Sequence, residues 1–215
     1  MESGPWKDNN SGGKMSIKTL FFDLGGVLIN FSHEKMCQNI ARYCDLDLDI
    51  VKTHLFEKKL AEDYERGAIT SQTLHKHFSQ LSGKMLVHDG LMEAASDIFS
   101  LKKETPALLE ACKRKNISLI LLSNTCEPHF CRVQKQFDFL KLFDGFVLSY
   151  EVGARKPEKK IYDEALKLAN CPIKECFYVD DVAEYIEAAR GFGIDSHLFE
   201  GADGLIMTLE KKGIV

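Results

Sequence analysis

The 215-residue sequence has one tryptophan, five prolines and no apolar run near the roughly 18 residues that suggest a membrane span. That shortage points away from a membrane protein. No basic start leading into an apolar stretch marks a secretory signal, so the chain is expected to be cytoplasmic. Neither charge sign is in excess: 28 Lys and Arg face 32 Asp and Glu, a net charge of −4. A general nucleic-acid binder, which draws affinity from clustered cations, is therefore excluded. The seven cysteines form an odd set with no CxxC pair and no Cys/His metal spacing; they read as free, mostly buried thiols in a reducing compartment. What remains is a globular composition, 45% hydrophobic and 28% charged, long enough to bury a substantial core.

Residues 1–14 are polar and rich in Gly, Ser and Asn, and read as a disordered tail or an expression remnant outside the fold. The first structured run is Thr19 to Phe22, stopped by Asp23-Leu24-Gly25-Gly26, a buried strand followed by a glycine turn. Similar apolar runs recur at Ile117 to Leu122, Phe146 to Leu148 and Cys176 to Val179, with a weaker one at His197 to Phe199. Helical stripes lie between them at Pro106 to Lys115, Pro157 to Ala169 and Val182 to Arg190. Strands alternating with helices predict an α/β fold, a Rossmann-like parallel sheet with ligands beyond its carboxyl edge. Between residues 31 and 103 the strand signal gives way to helical stripes: Met36, Ile40 and Cys44, then Leu48, Val51 and Leu55, then Leu74, Phe78 and Leu81. The prediction is a core from 15–30 and 104–215 carrying an inserted α-helical cap of about four helices.

Four separated pieces end strands or open helices on one side of that sheet: Phe22 to Leu28, Leu122 to Thr125, Arg155-Lys156-Pro157 and Val179-Asp180-Asp181. Each alone is commonplace as a turn, a helix cap or a first-turn proline. Together they assemble the needs of phosphoryl transfer. Asp23 can attack phosphorus in line to form an aspartyl-phosphate. Asp23 and Asp181 offer hard oxygen ligands for Mg²⁺, Lys156 adds positive charge, and Ser123 with nearby backbone N–H groups can bind phosphoryl oxygens.

The order, wording and helical insert resemble the haloacid dehalogenase (HAD) superfamily over residues 16–200. The chain is similar to the subgroup holding bacterial sugar-phosphate phosphatases and the N-terminal phosphatase domain of soluble epoxide hydrolases. The resemblance implies a Mg²⁺-dependent phosphatase for a small phosphorylated metabolite, with Asp23 as nucleophile, Lys156 steadying the phosphoryl group, and Ser123 and Asn124 binding it. Asp23, Asp181 and the Gly25 carbonyl would ligate Mg²⁺. Tyr64 to Thr70 resembles that subgroup's cap connection, implying substrate contact by Glu65 and Arg66. A monomer or homodimer is implied, with no nucleic-acid or membrane partner.

Two positions depart from the family pattern. Gly25 stands where an acid/base Asp is usual, and His33 and His88 are the replacements the insert offers. Tyr185 stands where Asp or Asn is frequent four residues after the metal-binding Asp, with Glu184 as a substitute charge, which predicts weaker Mg²⁺ binding. Two other readings follow: a catalytically weak or inactive relative that uses the pocket for binding, and a C–halogen hydrolase whose carboxylate attacks carbon without metal.

Overall fold

The computed structural model describes residues 16–215; the reading of 1–14 as a tail lies outside the described residues. Five parallel strands form the central sheet in the order β5-β4-β1-β6-β7: β1 (Thr19–Phe22), β4 (Ser118–Ser123), β5 (Gly145–Leu148), β6 (Cys176–Asp180) and β7 (Asp195–Leu198). Alternate residues of each strand enter different cores. Leu20, Phe22, Leu119, Leu121, Phe177 and Val179 join one, against α6 (Thr105–Arg114), α7 (Glu127–Gln136) and α11 (Ala202–Lys211). Phe21, Ile120, Leu122, Cys176 and Tyr178 join the other, against α9 (Lys159–Ala169) and α10 (Ala183–Gly191). A sheet covered on both faces needs strands without polar alternation, which is why these runs are continuously apolar.

After β1 the chain turns sharply, with Leu24 O accepting from the N–H groups of Leu28 and Ile29 and Gly26 N–H donating to Ile29 O at 2.8 Å. It then enters β2 (Ile29–Asn30), which pairs antiparallel with β3 (Ser100–Leu101). Between these short strands lie α1 (His33–Cys44), α2 (Leu48–Lys52), a π-helical turn (Thr53–Glu57), α3 (Leu60–Glu65), α4 (Ser71–Ser82) and α5 (His88–Ser96). Ser32 and Thr70 cap α1 and α4 by accepting from Lys35 N–H at 3.1 Å and Thr73 N–H at 3.2 Å. This helical layer has its own core, which includes Met36, Ile40, Val51, Leu55, Leu74, Phe78 and Leu91.

Five α-helices and a π turn replace the expected four, because the stripe Leu48, Val51, Leu55 runs across the junction of α2 with the π turn. The residues from 31 to 103 are not wholly helical: Ser100–Leu101 is a strand, too short for any periodicity and set by its pairing with Ile29 and Asn30. All seven cysteines are free thiols, five of them buried, with Cys131 exposed. Among the described residues no helix is long and apolar enough to cross a membrane.

Candidate active site

The register of the sheet assembles the site. Phe22 pairs with Leu121 on one side and Val179 on the other, so the next residues along the chains, Asp23, Leu122 and Asp180, emerge side by side at the carboxyl edge. Strand order reverses about β1 here, the place where open α/β sheets bind ligands. Lys156 reaches into this edge with its side chain 1% exposed, and its Nζ donates to Asp23 Oδ1 at 2.7 Å, Asp180 Oδ2 at 2.7 Å and Leu122 O at 3.1 Å. Three donor hydrogens meet three acceptors, so the ammonium is satisfied and fixed.

Asp180, which the sequence motif includes without a role of its own, is wholly buried and has two tasks. Its Oδ1 accepts from Val182 N–H at 2.8 Å, fixing the turn into α10, while Oδ2 accepts from Lys156 and from the Tyr178 hydroxyl. Carboxylate oxygens of Asp23, Asp180 and Asp181 all lie within 4.8 Å of one another. Gly26 has φ +85, and a Cβ there would fall on Asp181 Oδ2, so the absence of a side chain is what lets the Asp181 carboxylate approach this backbone. Lys102 Nζ donates to the Gly26 carbonyl and pins the turn.

Burial raises the Asp23 carboxyl from its ordinary value to about 7, an effect that Lys156 opposes and Asp180 reinforces. Burial would lower the Lys156 pKa, yet Asp180 and Asp23 outweigh it and hold the ammonium above the usual lysine value. Burial also raises Asp181, with Asp180 adding to it. Three carboxylates therefore face one ammonium, an arrangement with excess negative charge that a divalent cation with a preference for oxygen balances.

Ser123 ends β4 at the same edge, 2% exposed. The Asn124 side chain is spent within the protein: Oδ1 accepts from Lys156 N–H at 2.8 Å, and Nδ2 donates to Lys156 O at 3.1 Å and to the Tyr185 hydroxyl at 3.3 Å. It clamps the backbone that carries Lys156, which leaves only its main chain for a phosphoryl group. Tyr185 lays its ring 5.1 Å from Lys156 Nζ. Glu184 is exposed in the first turn of α10, away from the cavity wall.

Above this edge a cavity of about 440 Å³ opens between the sheet and the helical layer. Asp23, Gly25, Ser123, Asn124, Lys156 and Asp181 lie at its floor, and Glu65 is on its wall. Arg66 is not: its guanidinium is held by Glu158 at 2.6 Å, outside the lining. Arg155, whose neighbour Lys156 drew attention first, stands on the wall instead and pairs with Glu62 at 3.1 Å and Glu65 at 2.9 Å. Ser149, fully buried, ties the layers together by accepting from Thr125 N–H at 2.9 Å and donating to the Glu65 carbonyl. Gly67 packs its open Cα face onto the Tyr150 carbonyl, a contact no side chain would permit.

A Cβ on Gly25 would lie 2.9 Å from the Phe31 ring, which therefore covers the space where a longer side chain would extend. Beside Phe31 stands His33, ring centroids 5.0 Å apart, and beyond it Phe56 at 5.4 Å. Partial burial lowers the His33 pKa, and the residue lines the cavity. His88 does not; it pairs with Asp89 at 2.9 Å on the outer side of the helical layer.

Residues 17–193 match the family described as haloacid dehalogenase-like hydrolase. A D-ribitol-5-phosphate phosphatase of Bacteroides thetaiotaomicron is 27% identical over 199 residues, 87% of this chain and 94% of that protein. A sesquiterpene phosphatase of Aspergillus oryzae is 25% identical over 202 residues, 93% of this chain and 97% of its own. Among solved structures, a HAD family enzyme of Bacteroides thetaiotaomicron in complex with magnesium and inorganic phosphate superposes with a TM-score of 0.73 at 27% identity, covering 88% of this chain and 99% of that one.

Proposed function

The chain belongs to the haloacid dehalogenase-like hydrolases, and from that premise we propose that it is a Mg²⁺-dependent phosphatase that hydrolyses a small phosphorylated metabolite through an aspartyl-phosphate on Asp23. The observation that carries this reading is the fixed Lys156 ammonium bridging Asp23 and Asp180 beside Asp181. The relatives named as phosphatases, and the related enzyme solved with magnesium and phosphate, support it.

The donor set fits the cation: three carboxylates within 4.8 Å offer hard oxygens, and their excess charge invites one. Asp23, Asp181 and the Gly25 carbonyl would hold it, with Asp180 committed to Lys156, Tyr178 and Val182. When bound, Mg²⁺ neutralises charge on the phosphoryl oxygens and orients phosphorus for attack.

Lys156 holds Asp23 Oδ1, which leaves Oδ2 to attack phosphorus while the bond to the ester oxygen breaks. The same ammonium sits where it can take charge from the phosphoryl group, joined by the Ser123 hydroxyl and the main chain of Asn124. Water then attacks phosphorus, breaks the bond to Asp23 and releases phosphate. Residue 25 donates no proton to the leaving oxygen, and the Phe31 ring fills its place. A positioned acid is worth about 10²–10⁴ in rate, so esters of acidic alcohols should be favoured. The helical layer, residues 31–103, acts as the cap that excludes water and selects the leaving group.

Hydrolysis of 4-nitrophenyl phosphate tests the proposal: Mg²⁺-dependent turnover, lost on chelation and in Asp23→Asn, is the expected result. Turnover that survives Asp23→Asn overturns the nucleophile. Phe31 over Gly25 favours one second reading, a weakly active relative that keeps the pocket for binding, and absence of turnover with intact phosphate binding would select it.

A further inference from the structure

The wall of the cavity above the phosphoryl floor is apolar. Met36, Ile40, Leu55, Leu74, Ile98 and Phe99 line it, and Phe31 and Phe56 stand at its rim, each 42% exposed. Most of these side chains also form the helical layer's own core. They share the cavity of about 440 Å³ with the carboxylate floor, and since a core packs to crystal-like density with few voids larger than a water molecule, that space is a site rather than a defect. It falls in the range of small-ligand pockets.

The buried polar groups on this wall are occupied with one exception, while His33 and Lys59 line the cavity as exposed residues. The Tyr64 hydroxyl is bonded to Ser71 Oγ at 2.6 Å, and His129 Nε2 lies 3.2 Å from the Ala95 carbonyl. Burial holds His129 down at about 4, so its ring is neutral near pH 7. Glu62 and Glu65 are paired with Arg155. One buried donor there, Arg155 Nε, lacks a partner among the described residues. A single N–H can read one oxygen, whereas a polyol brings several, and each hydroxyl buried without a partner costs roughly tenfold or more in affinity.

We infer that the leaving group is an apolar alcohol or phenol, its hydrocarbon part lying against Met36, Leu55, Leu74 and Phe56, and that sugar and polyol phosphates are rejected. This rests on the phosphatase reading and names its substrate class. The phosphoryl floor treats all monoesters alike, so discrimination falls to the cavity wall.

A series of 4-alkylphenyl phosphates tests it, because para-alkyl chains leave the phenol acidity nearly constant. From phenyl to 4-butylphenyl phosphate, kcat/KM should rise about threefold to fourfold per methylene until the cavity is full. The 4-(2,3-dihydroxypropyl)phenyl ester should fall at least tenfold below the 4-propylphenyl ester, and Phe56→Ser should flatten the series. A flat series in the native enzyme, or a diol that matches the propyl ester, overturns the inference. Should no ester be hydrolysed, the phosphatase reading fails by itself. Calorimetry with methyl-, butyl- and 2,3-dihydroxypropylphosphonate then decides: tightest binding of the butyl compound supports the apolar site, and equal binding overturns it.

Discussion

At the floor of the cavity the strand ends bring three carboxylates around one buried ammonium, and every oxygen that Lys156 touches belongs to a residue far away in the chain. Above it, α1, the π turn and α4 line the same space with Met36, Ile40, Leu55 and Leu74, and polar groups such as Tyr64 and His129 are satisfied within the protein by Ser71 and the Ala95 carbonyl. The floor is a network in which removing one member leaves the others unpaired at low dielectric. The wall is a packed surface, where shape and volume matter more than identity. On the proposed reading, reaction type belongs to the sheet and choice of leaving group to the helical layer.

The strongest challenge to this contrast is Lys156→Met. It leaves Asp23 and Asp180 as uncompensated buried acids, which should cost about 3–5 kcal/mol and lower Tm by roughly 10 °C for a chain of this size. Turnover should fall to background. Thermal unfolding and a phosphatase assay read both effects, and near-native stability would show that the floor is not a coupled network. Gly26→Ala should act more narrowly. Its Cβ would fall on Asp181 Oδ2 and its φ of +85 strains any L side chain, for a loss of about 1–2 kcal/mol. Displacing the carboxylate should weaken Mg²⁺ in a metal titration and lower kcat/KM about 10²-fold.

On the wall, Leu74→Met conserves volume and should cost less than about 1.5 kcal/mol, with turnover of acetyl phosphate changed by no more than a few-fold. A loss as large as that of Gly26→Ala would erase the distinction between the two regions. The remaining test of the wall is pH. Burial depresses the His129 pKa from 6.5 to about 4, so the unfolded chain takes up the proton first. That contribution to stability is complete above about pH 6.5 and is lost as pH falls toward 4. Denaturant titrations should show the native protein losing about 1–3 kcal/mol more than His129→Leu over that window, a figure reduced for the ring's partial exposure.

Much of the floor was readable in advance, because its residues sit where apolar strands stop. Asp23 follows Phe22 at the end of β1, and Ser123 is the last residue of β4. Asp180 has no role of its own in the sequence because an acid before a helix also reads as a cap; in the fold its side chain holds Val182 N–H in the turn ahead of α10, and Lys156 as well. The signal that singles it out is register, since Val179 pairs with Phe22 and so puts Asp180 beside Asp23. Arg66 and Arg155 exchanged places for a related reason. Both are arginines flanking motif residues, and only the docking of α3 shows that Glu158 holds one while Glu62 and Glu65 keep the other on the cavity wall.

The parallel sheet and the position of its acids were determined by sequence alone, because uninterrupted apolar runs, glycine turns and strand-end carboxylates are local features whose cause lies within a few residues. Which polar groups are partnered was decided only by the tertiary structure. Lys156 meets an acid 133 positions away, and Phe31 fills the space over Gly25 only because a tight turn folds it back. Charge pairing and cavity shape act through space at a few ångströms, and no spacing along the chain encodes that distance.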